Sequence, residues 1–254
     1  MRSPKFIIPL IPILALVLSP ALVNRGGFSS VRAQSQPTRE VIALNFPPPP
    51  RNLGGPRSTA GGGVRGNGNA SCIEGEPSLT PLMPTHDIVK TVTPNPTFFL
   101  YVPQNSADSG EFVMVDENGN DVYLSTFAVS ESPGVFKVNL PADTSLEIGQ
   151  VYDWQFSLIC DQLDRKADIF VQGQIQPTEL TEEMQTQLDQ ARPLDQVQLY
   201  VNENLWNEAV SLLAQVRNSN PTEWQGLLKY VGLERIAAEP LPIQAIGTSP
   251  NQNN

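Results

Sequence analysis

Few side chains in this sequence could do catalytic or metal chemistry. The 254 residues include one histidine, His86, and two cysteines, Cys72 and Cys160. These numbers exclude cysteine-rich zinc sites, sites built from several histidines and haem attachment motifs. His86 follows Pro84-Thr85 in a turn-rich stretch with no serine or cysteine nucleophile motif, so we expect a surface residue. We therefore predict no catalytic residue and no cofactor.

Carboxylates are the remaining candidates for chemistry. Asp161, Asp164 and Asp168 fall in one loop between two regular strand patterns, and their oxygens could hold Ca²⁺. Arg165 and Lys166 lie among them and neutralise part of the charge, which weakens this interpretation. A second acidic group is spaced too closely for a calcium loop, and we expect a solvated hairpin tip there, at Asp116, Glu117 and Asp121.

The first 33 residues are typical of an export signal. Basic residues at Arg2 and Lys5 precede an apolar run from Phe6 to Leu18, and small residues stand at Val31 and Ala33 before a cleavage site. Prolines interrupt the run, so it is a poor membrane-spanning helix. We predict a cleaved signal peptide, residues 1–33, and a mature chain without a membrane span in the periplasm, cell envelope or extracellular space.

The mature chain is expected to be strongly acidic. Residues 1–33 hold four of the 16 basic residues and none of the 26 acidic ones, which leaves 12 basic residues and a net charge of −14. Such a chain is a poor partner for nucleic acid or for an anionic lipid surface. We therefore expect no nucleic-acid partner.

Export also affects the interpretation of the cysteines. In an oxidising compartment a pair of cysteines usually forms a disulfide. A bond between Cys72 and Cys160 would close a loop of about 90 residues. The alternative, a cysteine nucleophile with His86 as its base, lacks any nucleophile motif around either cysteine.

Residues 34–70 have the composition of a disordered Pro/Gly-rich arm. Four prolines stand at 47–50, and seven glycines lie between Gly54 and Gly68. Such a segment buries too little apolar surface to offset the entropy of ordering it. We expect a flexible spacer. Its excess of arginine leaves open a basic arm that contacts an anionic envelope polymer or the protein's own acidic domain.

Residues 71–178 have the pattern of short β-strands. Asn118-Gly119 suits a tight hairpin turn. Between Val151 and Cys160 the apolar side chains alternate, with Tyr152 and Trp154 on the inner face. Strands joined by turns, with no helix between them, favour an all-β antiparallel sandwich.

One corner of this region carries a local resemblance. The segment Leu146-Glu-Ile-Gly149-Gln-Val-Tyr152-Asp-Trp154 is similar to the loop-to-strand corner of fibronectin type III and related immunoglobulin-like sandwiches. The resemblance implies that the Tyr152 hydroxyl caps the corner, with Trp154 following on the same face. It implies an immunoglobulin/fibronectin-III-like fold and says nothing about function.

Residues 179–239 are predicted to form a small α-helical hairpin subdomain, extended by one more helix. Thr181-Glu-Glu suits a helix start, and apolar residues recur at three- and four-residue spacing. One set has the spacing of a single tetratricopeptide motif, with Asn204 where glycine is usual at the turn: Tyr200, Asn204, Trp206, Ala209, Leu213, Val216 and Pro221. A single unit forms no repeat groove, so we expect a core stripe, with a partner-binding groove as the alternative. Residues 240–254 are predicted to be a disordered tail.

A wider set of residues covers most of the mature chain. It includes Gly61-Gly-Gly-Val-Arg65-Gly66, Cys72, Pro96-Thr-Phe-Phe99, Tyr101-Val-Pro103, Trp154-x-Phe156-Ser157, Cys160-Asp161, Arg165 and Asp168-Ile-Phe-Val171-x-Gly173. The set resembles that of an exported cyanobacterial family labelled domain of unknown function 928. The resemblance implies a cyanobacterial source and an address outside the cytoplasm, and it supplies no activity or catalytic residue.

Two hypotheses about function follow from these observations. The first is a non-enzymatic binding module of the cell envelope, with an envelope protein or glycan as its partner. The second is a hydrolase that acts on envelope or extracellular polymer with a pair of carboxylates. No glycosidase motif is visible, and the other catalytic residue types are scarce, so the sequence favours the binding module.

The export signal makes a direct prediction about processing. Because cleavage is expected after Ala33, mass spectrometry of the native protein should find an N-terminus near Gln34. A protein isolated from the cytoplasm that retains residues 1–33 would contradict the prediction.

Overall fold

The computed structural model describes residues 43–47, 72–73, 75–85, 87–144 and 146–245. The predicted signal peptide, His86, most of the predicted arm and residues 246–254 lie outside the described residues. The described part contains nine β-strands: β1 Thr80–Pro81, β2 Ile88–Thr91, β3 Thr97–Val102, β4 Ser109–Val115, β5 Asp121–Phe127, β6 Gly134–Asn139, β7 Tyr152–Ile159, β8 Ile169–Pro177 and β9 Ile243–Ala245.

The strands form two mixed sheets that share one apolar core. The first has four strands in the order β1-β3-β6-β9, and the second has five in the order β2-β8-β7-β4-β5. Most neighbours are antiparallel, but β2 pairs with β8 and β6 pairs with β9 in parallel. The β-rich fold is therefore confirmed, and the expectation of a purely antiparallel sandwich is wrong. Side-chain alternation fixes which face of a strand is inward, but not the direction of a neighbour distant in sequence.

Aromatic rings fill the space between the sheets. The ring centroid of Phe98 in β3 lies 4.9 Å from that of Phe112 in β4 and 5.3 Å from that of Trp154 in β7. Gly173 in β8 stands opposite Trp154, and a Cβ there would lie 2.7 Å from the indole Cζ2. The close approach of the indole to the β8 backbone therefore requires glycine at this position.

The corner before β7 is closed by a buried tyrosine. The Tyr152 hydroxyl accepts a hydrogen bond from the backbone N–H of Glu147 at 2.9 Å and donates to Gln150 Oε1 at 3.0 Å. Leu146 is buried beneath the same turn. The hydroxyl thus ties the loop to the strand that it enters.

Four α-helices follow the strands in the described residues: α1 Glu182–Gln190, α2 Pro193–Asn202, α3 Trp206–Val216 and α4 Pro221–Tyr230. The Thr181 side chain caps α1 by accepting from the N–H of Met184 at 3.2 Å. Proline at the first position of α2 and α4 suits a helix start because that N–H has no helical partner. No helix of the described residues is long and apolar enough to cross a membrane.

Helices α2, α3 and α4 share a core with the sheets, whereas Met184 and Leu188 of α1 lie with Leu205 in a second, smaller cluster. Val210 and Leu213 of α3 belong to the same buried cluster as Phe98 and Phe112 of the sheets. The predicted boundary at 178/179 marks the change from strands to helices, but the apolar core continues across it. The helical region is therefore packed on the sheets as one structural unit.

Two short segments differ from the sequence-based expectation. Residues 43–47, which fall in the predicted arm, lie against the helices, and Leu44 and Phe46 pack on the core. Residues 243–245, which fall in the predicted tail, form β9 on the edge of β6. In both cases a few apolar side chains anchor a segment whose overall composition is typical of disorder.

The two cysteines form a disulfide, as predicted. Cys72 and Cys160 are bonded with their Cα atoms 5.3 Å apart, and the described residues contain no free cysteine. Cys72 is buried beside the isolated bridge that Ile73 makes with Asn105, and Cys160 follows the end of β7. The bond therefore ties the start of the sheet region to a central strand.

Loss of this disulfide is expected to destabilise the protein. The bond joins residues 88 apart in sequence, so it removes much entropy from the unfolded chain. The Cys72→Ser/Cys160→Ser variant should lose about 2–5 kcal/mol of unfolding free energy, measured by urea denaturation. An unchanged midpoint relative to the oxidised wild type would contradict the expectation.

Candidate functional site

A polar groove lies between the α2–α3 hairpin and the loop that joins β2 to β3. Its volume is about 240 Å³. One wall comes from the loop and the start of β3, and the other comes from α2 and α3. The lining residues are Thr93, Pro96, Thr97, Gln196, Tyr200, Asn207, Glu208, Ser211, Leu212 and Gln215.

The turn between α2 and α3 docks on the edge of β2. Asn204 has a positive φ of 62°, a conformation that asparagine adopts more readily than most residues. Its backbone carbonyl accepts from the N–H of Lys90 at 3.0 Å, and its Nδ2 donates to the Ile88 carbonyl at 2.8 Å. The turn thus satisfies the outer edge of a strand that would otherwise be open.

Glu208, in the first turn of α3, holds the chain that leaves β2. Its Oε1 accepts from the backbone N–H of Val92 at 2.9 Å and that of Thr93 at 3.2 Å. The hydroxyls of Thr91 and Thr93 donate to the same oxygen at 2.6 and 3.1 Å. Hydrogen bonds to an ionised acceptor are stronger than neutral ones, so this contact fixes one wall of the groove.

Two of the residues that line the groove carry buried polar atoms without hydrogen-bond partners. The Asn207 side chain is only 2% exposed, and both its Nδ2 and its Oδ1 are unpartnered. The second oxygen of Glu208, Oε2, is also buried and unpartnered. Because more than nine in ten buried polar groups in proteins have partners, this pair is unusual. Both residues line the groove, where a ligand could bond to them.

Tyr200 adds a hydroxyl to the same groove. Its partial burial, and secondly the negative charge of Glu208, raise the pKa of the phenol above the usual 10.0. The hydroxyl is therefore neutral and able to donate at physiological pH. Any weakening of the fold from its ionisation would appear only as the pH rises above 10, where the unfolded chain ionises first.

The lining defines the chemistry that the groove can recognise. Among the described residues that line it, Glu208 is the one that carries a charge. The amide of Asn207 can donate and accept, Glu208 Oε2 can accept, and the Tyr200 hydroxyl can donate. This set complements hydroxyl, amide or ammonium groups and disfavours anions. A single carboxylate does not provide the acid and base pair of a glycosidase.

A larger groove of about 480 Å³ lies on the outer face of the five-stranded sheet. Polar side chains on this face already bond to one another. Gln174 Nε2 donates to Asp153 Oδ1 at 2.9 Å, and Gln155 Nε2 donates to the Ser157 hydroxyl at 2.9 Å. Trp154 Nε1 is unpartnered, but the indole lies in the core against Gly173. The smaller groove is therefore the better candidate.

The structure gives the aspartates proposed for Ca²⁺ other partners. Asp161 accepts from the N–H of Leu163 at 2.7 Å, and Asp164 caps a short 3₁₀ helix, Arg165–Ala167. Asp168 pairs with Arg165 and accepts from the N–H of Cys160 at 3.2 Å. The described residues contain no group of three His, Cys, Asp or Glu side chains that could hold a metal ion, so these aspartates are not brought together as ligands.

Sequence reasoning missed Asn207 and Glu208. Asn207 lies three and seven residues before Val210 and Ala214, and all three are buried. A polar residue on the apolar stripe of a helix was therefore a signal for a buried polar site. Glu208 carries no such signal, because an acidic residue in the first turn of a helix is common.

The fold and groove define a two-sheet protein with a packed helical layer and a polar cleft at their junction. Residues 60–241 match the family described as Domain of Unknown Function (DUF928), and the chain belongs to that family. No curated protein matches the sequence.

Proposed function

We propose that the protein is a non-enzymatic binding module of the cell envelope, and that the groove beside Asn207 is its ligand site. The buried, unpartnered amide of Asn207 beside the free oxygen of Glu208 carries this proposal. The ligand is a glycan that presents hydroxyl and N-acetyl groups. Both kinds of group can bond to an amide, a phenol and a carboxylate at once.

The size of the groove agrees with recognition of one unit of a polymer. Its volume of about 240 Å³ is below the ~300–1,000 Å³ typical of pockets that enclose a whole drug-sized ligand. A single sugar ring at the end or side of a chain suits such a space. The rest of the polymer would remain in solvent.

An immunoglobulin-like fold is part of the proposal. Two features of the sheets support it. The first strand of one sheet, β2, pairs in parallel with β8, next to the antiparallel strands β7 and β4. The strands β1, β3 and β6 belong to the other sheet. The hydrogen bond that the Tyr152 hydroxyl accepts from the backbone N–H of Glu147, five residues upstream, resembles the tyrosine corner of that fold and also supports it.

Export and the tetratricopeptide-like hairpin are proposed on separate grounds. The basic and apolar start of the chain and the Cys72–Cys160 disulfide support an extracytoplasmic address. The α2–α3 hairpin supports the tetratricopeptide-like unit, because Asn204 has a positive φ at the turn where the repeat usually has glycine. A cyanobacterial source remains a prediction from the family resemblance.

A carboxylate-dependent hydrolase is the less favoured alternative. Hydrolysis of a glycosidic bond usually needs two carboxyl groups on either side of the bond. Among the described residues the groove has one, Glu208, and its Oε1 accepts four hydrogen bonds from the end of β2 and the residues just after it. This carboxylate suits a fixed acceptor better than a proton shuttle.

Calorimetric titration with a soluble N-acetylglucosamine oligomer would test the proposed function. The wild type should bind, and Asn207→Leu should bind at least about tenfold more weakly, because each lost hydrogen bond in a buried site contributes roughly 1–3 kcal/mol. Glu208→Gln should also weaken binding. Its carbonyl can still accept at the Oε1 position, but an NH₂ donor replaces the free acceptor.

Gln172→Ala, on the outer face of the five-stranded sheet, is the matched control and should bind like the wild type. Equal affinities of the wild type and Asn207→Leu, or failure of the wild type to bind any N-acetylated or neutral oligosaccharide, would contradict the proposal.

A further inference from the structure

A short segment before the sheets, residues 43–47, lies against the helices. In residues 43–47 exposed and half-buried side chains alternate, and Leu44 and Phe46 are the half-buried ones. Both pack against the core cluster. An alternation of this kind is that of a strand-like peptide with one face on a surface.

The backbone of this segment is bound by one glutamine of α2. The N–H of Asn45 donates to Gln198 Oε1 at 2.7 Å, and Gln198 Nε2 donates to the Asn45 carbonyl at 3.0 Å. The side-chain amide of Gln198 thus pairs with both polar groups of one residue. Asn202 Oδ1 accepts from the same Nε2 at 2.9 Å and holds the amide in this orientation. These hydrogen bonds are made to the peptide backbone, so they do not depend on the side chain of residue 45.

The Phe46 ring lies against two aromatic rings, those of Trp206 and Tyr230, which we call its aromatic seat. Its centroid lies 6.1 Å from that of Trp206 in α3 and 5.4 Å from that of Tyr230 in α4, in stacked arrangements. Trp206 and Tyr230 stack on each other at 5.1 Å. Gly226 borders the ring, and a Cβ there would lie 3.4 Å from Phe46 Cε2. Side chains larger than alanine at 226 would therefore occupy the space of the ring.

The chain connection does not itself force the segment into this seat. The 24 residues 48–71 separate Pro47 from Cys72, and a chain of that length can reach up to about 80 Å. The contacts of Leu44, Asn45 and Phe46 must therefore select the position. A tether of this kind gives a bound segment an effective concentration on the order of millimolar.

We propose that the seat formed by Gln198, Trp206, Tyr230 and Gly226 is a recognition site for extended peptides with an aromatic residue two positions after an apolar one. The chain's own Leu44-Asn45-Phe46 occupies it in cis. Peptide-binding sites usually obtain affinity from backbone hydrogen bonds and selectivity from a side-chain pocket. Here Gln198 provides the backbone hydrogen bonds, and Trp206 and Tyr230 provide the pocket. The cis segment limits access by outside peptides of the same chemistry. This inference does not depend on the glycan groove.

A peptide with the sequence of residues 41–48, labelled with a fluorophore, provides the test. The Phe46→Ala protein has an emptied aromatic seat and should bind the peptide in a fluorescence anisotropy titration. The wild type should bind it at least about tenfold more weakly, because its seat is free in only a small fraction of molecules. Adding Gln198→Ala to Phe46→Ala should weaken binding again. A peptide with alanine in place of its phenylalanine is the negative control.

Three results would overturn the proposal. One is failure of a folded Phe46→Ala protein, verified by circular dichroism, to bind the peptide. Another is equal binding by the wild type and the variant. The third is a concentration-dependent wild-type dimer that Phe46→Ala abolishes, because the segment would then bind a second copy instead of its own chain. If Phe46→Ala does not fold, Phe46→Leu keeps apolar volume, loses the ring stacking and takes its place in the titration.

Discussion

Beyond the apolar core that they share, the helical layer and the sheets are joined by hydrogen bonds to one carboxylate. Glu208 Oε1 accepts from the N–H groups of Val92 and Thr93, two backbone donors just past the end of β2. Without that acceptor the partly buried N–H of Val92 would lose its partner, at a cost of roughly 1–3 kcal/mol, whereas the N–H of Thr93 would keep the Thr91 hydroxyl at 3.1 Å. The hydrogen bonds of Asn204 to the edge of β2 also hold the helices on the sheets. Together they fix where α3 begins.

The first three residues of α3 connect this attachment to both proposed sites. Trp206 stacks under Phe46, Asn207 lines the polar groove, and Glu208 holds the chain after β2. Successive helical residues point about 100° apart, so three neighbours can face three different surroundings. A shift of the helix would therefore change the groove and the aromatic seat together. The two proposed binding events are expected to be coupled through this turn.

Much of the architecture could be predicted from the sequence, because its signals are local. The alternation around Trp154 predicts a half-buried strand, and two cysteines in a chain that begins like an export signal predict their own pairing. Asn204 stands at the helix turn where a left-handed residue is needed. The parallel partner of β2 was not predictable, because β8 lies about 80 residues further along the chain and alternation is the same in either direction.

The candidate sites were harder to predict than the fold. Phe46 is a single aromatic residue beside a proline run, and the composition of the whole segment hides its one strong anchor. Asn207 becomes informative only when its place on the buried stripe of α3 is known. Glu208 acts on residues more than 110 positions earlier in the chain, a contact that no local pattern encodes. Sites formed by long-range contacts between ordinary residues leave little trace in one sequence.

The central claim is that Glu208, in addition to the shared apolar core, couples the sheets and the helices into one cooperative unit. Urea unfolding of Glu208→Ala and Glu208→Gln, followed by helical circular dichroism and by tryptophan fluorescence, tests it most directly. Glu208→Gln retains an acceptor and should show coincident transitions, as the wild type should. Glu208→Ala should be destabilised by about 1–3 kcal/mol, and its helical signal should be lost at lower urea than the signal of the sheet core. Wild-type transitions that already separate, or a Glu208→Ala protein as stable as Glu208→Gln, would contradict the claim.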